Sequence, residues 1–63
     1  MAVENNRAYE RKAQAHDRTA DRYDQHARLM DRYGAHRSAR TERRHAEDQR
    51  ELAEATRRSK TRG

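Results

Sequence analysis

Histidines and arginines are the side chains in this sequence best equipped for chemistry. His16, His26, His36 and His45 stand ten, ten and nine residues apart. A zinc site on one helix uses ligands at i and i+4, and none of these spacings supplies that pair. They read as a packing residue at His16 and solvated polar residues elsewhere, with no metal bound. Nucleophilic catalysis finds no footing either, because the chain has no cysteine, no Gly-x-Ser-x-Gly elbow and no glycine-rich phosphate loop. Carboxylates are numerous, but most have an opposite charge at helical spacing: Asp24 with Arg28, Arg43 with Glu47, Arg44 with Asp48, Arg50 with Glu54, Glu54 with Arg58. Such pairs belong to solvated helices and contribute about 0.2–0.5 kcal/mol each. The expectation is a non-enzymatic chain without a cofactor.

The arginines suggest binding instead. Of sixteen basic residues, fourteen are arginine, and the formal net charge is +5. Residues 1–31 carry six basic and six acidic side chains, whereas residues 32–63 carry ten and five, so the excess lies in the second half. That asymmetry suggests an anionic partner for the second half, and the planar guanidinium fork suits phosphate. In "HRSARTERR", Arg37, Arg40 and Arg44 recur at spacings of three and four on one helical face, with Arg43 beside them. The tail "TRRSKTRG" adds Arg57, Arg58, Lys60 and Arg62 with no acid. Tyr33 and His36 flank the first cluster and could stack on bases. Together these residues are the candidate contacts to RNA or DNA, through a counterion-release term that is indifferent to sequence.

The elements that must position these side chains are helical. Proline is absent, glycine occurs only at 34 and 63, and alanine, arginine, glutamate and glutamine dominate. Tyr9, Ala13, His16, Ala20, Tyr23, Ala27, Met30 and Gly34 follow one another at alternating spacings of four and three. A 3.5-residue period of this kind marks a seam facing another helix. Every second seam position is alanine or glycine, which lets two helix axes approach closely. The doubled tripeptide Asp21-Arg22-Tyr23 and Asp31-Arg32-Tyr33 reads as a local duplication or chance within a low-complexity helix, not as a doubled site. Ten residues rotate a helix by about 80° relative to the starting face, so the copies cannot share a side. Tyr23 belongs to the seam, and Tyr33 stands beside it.

Beyond Gly34 the seam stops, and Ala39, Ala46 and Ala53 repeat every seven residues in a new phase. The fold class is therefore all-α. The favoured architecture is two long helices with a break near Gly34, an antiparallel, coiled-coil-like helical hairpin in a single domain. Its first helix covers about 5–33, its second about 38–59, and residues 60–63 form a basic tail. Ser38 would cap the second helix. The alternative is one long continuous helix, since an internal glycine costs only about 1 kcal/mol and no cluster of turn residues marks a loop.

Large apolar side chains are few: Val3, Leu29, Leu52, Met1 and Met30, with three tyrosines. Chains of this size usually need a disulfide, a metal or a second copy to compensate for a small core, so self-association through the seam is an open alternative. No apolar run is long enough to span a membrane, and no signal-peptide core is present. The sequence thus reads as a soluble cytoplasmic accessory protein that binds nucleic acid or a nucleoprotein machine. The competing reading is a protein-interaction module, an inhibitor, adaptor or assembly factor, that docks its alanine seams and arginines on an acidic protein partner.

Overall fold

Strong helix formers on both sides of one glycine produce two helices, α1 (Ala2–Arg32) and α2 (His36–Thr61). The computed structural model describes the backbone of residues 2–61 and the side chains of residues 6–59. No strand occurs among the described residues. The helices pack antiparallel along their length, and the Cα trace measures 50 × 14 × 8 Å. Its radius of gyration is 14.6 Å, against about 11 Å for a compact domain of this length. The hairpin is a thin two-helix rod, and the continuous-helix alternative is excluded.

The reversal needs one residue with a left-handed backbone. Gly34 has φ 84°. The Gly34 N–H donates to the Asp31 carbonyl (3.0 Å) and the Ala35 N–H to the Met30 carbonyl (2.7 Å). These are the two bonds of a Schellman motif, which satisfies the last carbonyls of α1 without a longer loop. Because the motif is so short, α2 restarts at once. The Ala35 carbonyl accepts from the Ala39 N–H (3.0 Å), so Ala35 is the residue that opens α2. Ser38 lies inside the first turn rather than capping it, a correction that follows from the tightness of this turn. No acid stands in the first turn of α2.

The buried core consists of six alanines. Ala13, Ala20, Ala39, Ala46 and Ala53 are 0% exposed and Ala27 is 1% exposed. The two alanine stripes seen in the sequence therefore close on each other. Burial on the CH2 scale contributes about 0.8 kcal/mol per methyl-sized group, so close backbone approach and edge contacts must supply the rest. Larger seam residues do not enter this core. His16, Tyr23 and Met30 are only partly buried, Tyr9 is 39% exposed, and Gly34 belongs to the turn. Helices close enough to bury methyl groups leave room for larger side chains only along the edges of the contact.

Gly34→Ala is expected to lower stability by about 1–2 kcal/mol, the cost of a left-handed conformation for an L-residue. A Cβ at this position would meet nothing within 4 Å, so the penalty is purely backbone and Gly34→Asn should lose less. Ala20→Leu is expected to cost about 1–3 kcal/mol by overpacking, whereas Ala15→Leu, at an exposed site, should stay within about 0.5 kcal/mol of the parent. Thermal unfolding followed by circular dichroism measures all four.

Candidate nucleic-acid interface

The two edges of the alanine seam differ in chemistry, and one of them decides which arginines are available. On α1, Glu10, Asp17, Asp24 and Asp31 recur every seven residues; on α2, His36, Arg43, Arg50 and Arg57 do the same. In the hairpin these series meet. Arg43 pairs with Asp31, and Arg50 pairs with Asp24 and more loosely with Asp21 (3.4 Å). Arg57 joins Glu10 (3.1 Å) and Asp17 (2.9 Å), while the His36 ring reaches Asp31 (2.8 Å). From one pair to the next the residue number falls by seven on α1 as it rises by seven on α2, which fixes a constant antiparallel register.

This ladder perturbs its members in the expected sense. Hydrogen bonds from Arg43 and then His36 hold the Asp31 carboxyl below the usual carboxylate range. The carboxylate of Asp24 raises Arg50, and those of Glu10 and Asp17 raise Arg57. Both guanidiniums therefore keep their charge at any ordinary pH.

The opposite edge holds mostly aromatic and polar groups, with Arg22 and Glu42 as its charged members. The His16 Nδ1–H donates to Gln49 Oε1 (2.7 Å), and His26 reaches Glu42 (3.2 Å). The Tyr23 and His45 rings lie 5.2 Å apart, tilted by 34°. Thr19, Arg22, Tyr23, His26 and Glu42 line an open hollow of about 350 Å³ on this side. Among the described residues no three His, Asp or Glu side chains gather around a point where a metal could sit.

The sequence-predicted phosphate contacts thus divide into three groups. Arg43 and Arg57 face α1 and are held by carboxylates. Arg58 pairs with Glu54 one turn back (3.7 Å), the one intrahelical pair of those expected that forms among the described residues. Asp24, Arg43 and Arg50 reach across to the other helix instead, because the cross-helix carboxylates and guanidiniums share a seven-residue period. Arg37, Arg40 and Arg44 are exposed and have no acidic partner among the described residues. Tyr33, at 80% exposure, projects from the turn beside them. The turn also brings Arg28 and Arg32, from the end of α1, to the same end of the rod. The side chain of Lys60 and the whole of Arg62 lie outside the described residues.

The charge ladder is the feature that a reading by helical neighbours overlooks. Its signal is nevertheless present in the sequence, as two charge series of opposite sign with the same period as the alanines. No described helix is long and apolar enough to cross a membrane. No family model, curated protein or solved structure matches this chain.

Because Asp31 titrates below its unfolded value, its pairing contributes fully above the ordinary aspartate pKa of about 3.9. The contribution fades as pH falls through the lowered folded-state value. Thermal stability should therefore be insensitive to Asp31 from about pH 5 to 7 and decline in more acidic solution. Asp31→Asn should be less stable at neutral pH and show a shallower acid decline. Melting curves across that pH range provide the check.

Proposed function

We propose that this protein is a non-enzymatic helical accessory factor that binds RNA, DNA or a nucleoprotein assembly, working in the cytoplasm. One observation carries the reading. Arg37, Arg40 and Arg44 stay exposed and without acidic partners among the described residues, although a ladder of carboxylates captures Arg43, Arg50 and Arg57 on the same helix. Guanidiniums left together at one end of a stiff rod repel one another and gain from a shared polyanion. The first turn of α2 lies among them, and the positive end of its dipole adds to the field. Tyr33 supplies an exposed ring next to the cluster for base stacking.

The competing reading, an adaptor that inserts its alanine seams between partner helices, loses its docking element. All six seam alanines are buried against each other within the hairpin. An acidic protein surface would then have only the arginines to recognise.

Replacing Arg37, Arg40 and Arg44 with glutamine should weaken nucleic-acid binding and flatten its salt dependence. The slope should fall by about 0.9 per lost contact on duplex DNA and about 0.7 on a single strand. The complex isolated from cells should also dissociate on nuclease treatment. A nuclease-resistant complex, with purified nucleic acid bound no better than heparin, would overturn the reading.

A further inference from the structure

We infer that the outward face of α1 is a phosphate-binding track for a nucleic-acid duplex, extending the cluster at the turn along the whole rod. The inference rests on the nucleic-acid reading above and concerns, apart from Arg32, residues in the half of the chain whose charge sums to zero. That sum conceals a sorting by side. Each α1 carboxylate from Glu10 onward (Glu10, Asp17, Asp21, Asp24 and Asp31) is engaged by α2. The arginines of α1 centre further round the helix. Among the described residues Asp21 (71% exposed) is the one acid inside their sector, with Glu10 at its border beside Arg7 and Arg11. Arg7, Arg11, Arg18, Arg22, Arg28 and Arg32 are all exposed, and none has an acidic partner among the described residues.

Their spacing is regular. They form three pairs at i and i+4: Arg7 with Arg11, Arg18 with Arg22, and Arg28 with Arg32. At 100° per residue all six fall within a stripe about 120° wide, and successive pairs start about 15–17 Å apart along the axis. Like charges at i and i+4 destabilise an isolated helix by a few tenths of a kcal/mol per pair. A polyanion laid along the stripe converts that repulsion into attraction. Between the arginines on this stripe stand Gln14, Gln25 and Leu29, all exposed, with Asp21 as the acid among them.

The form of the nucleic acid follows from what the stripe lacks. Single strands are held in grooves with aromatic platforms for the bases. This stripe carries no aromatic ring along its length, Tyr33 standing beyond its end at the turn and only Arg22, at its margin, also lining the hollow beside Tyr23 and His26. A duplex keeps its bases stacked inside and offers only phosphates to such a surface, so binding would be largely indifferent to sequence. An anionic membrane is a poorer match, because an interfacial helix needs a broad apolar face and the stripe offers Leu29 alone as a large apolar side chain.

The test uses the full chain, its Arg11→Gln/Arg18→Gln/Arg22→Gln variant, and the Arg37→Gln/Arg40→Gln/Arg44→Gln variant. Fluorescence anisotropy would follow binding to a short DNA duplex of mixed sequence, the matching RNA duplex and the single strand over a salt series. Circular dichroism should show both variants as helical as the parent, since none of the replaced side chains holds the hairpin together. The inference expects tighter binding to a duplex than to the single strand. It also expects the α1 variant to lose about 2–3 in salt slope, on the scale of 0.9 per phosphate contact, with at least tenfold weaker affinity at low salt. An unchanged slope in the α1 variant, with loss confined to the α2 variant, overturns the track but leaves the nucleic-acid reading standing. Equal binding of single strand and duplex, or equal competition by polyglutamate, also overturns the track. A parent chain that binds no nucleic acid at low salt overturns both.

Discussion

The structure depends on how closely two helix backbones can approach. Six alanines at a seven-residue spacing allow contact with nothing larger than a methyl group between the helices. Close approach makes the core thin and moves every larger side chain to one of two edges. On one edge, carboxylates and guanidiniums come within reach across the gap; on the other, histidine and tyrosine rings meet polar partners. A wider seam of leucines would hold the helices further apart and leave the short aspartate side chains less able to bridge to the opposite helix. The choice of aspartate at three of the four ladder positions on α1 suits the narrow gap.

The ladder in turn determines the surface. By drawing the α1 carboxylates inward it exposes the positive charge of α1 outward, and by capturing Arg43, Arg50 and Arg57 it selects which α2 arginines remain accessible. Surface ion pairs of this kind contribute little individually. Their larger effect is to sort charge by side, so that a chain with eleven acidic residues presents on α1 a flank of six exposed arginines with Asp21 as the well-exposed acid among them. Electrostatic character here follows from the pairing geometry more than from the overall composition.

Much of this could be read from the sequence, where a side chain's role depends on its own helix. The alanine heptads and the break at Gly34 were legible, as was the separation of Tyr23 from Tyr33. What was not legible required knowing how the helices face each other. Arg43 looks equivalent to Arg44 along the chain, and only the cross-helix register sends one to Asp31 and the other to solvent. Asp24 similarly has Arg28 one turn away, yet reaches Arg50. Ser38 has the chemistry of a cap, but the two-bond closure at Gly34 lets α2 open at Ala35, which leaves Ser38 already inside its first turn.

The shared period of the seam and the ladder has a further consequence for register. Because alanines, acids and arginines all repeat every seven residues, sliding one helix past the other by two turns would re-form most of the same contacts. The packing is therefore nearly translationally degenerate, and the tight reversal at Gly34 is what pins it. His16 with Gln49 and Tyr23 with His45 break the degeneracy only locally. A chain whose reversal straightened into helix would keep both sticky faces and lose the pin. Two such chains could exchange arms and rebuild the same ladder between molecules, the familiar route of domain swapping. In this molecule one glycine separates a self-contained hairpin from an open-ended assembly.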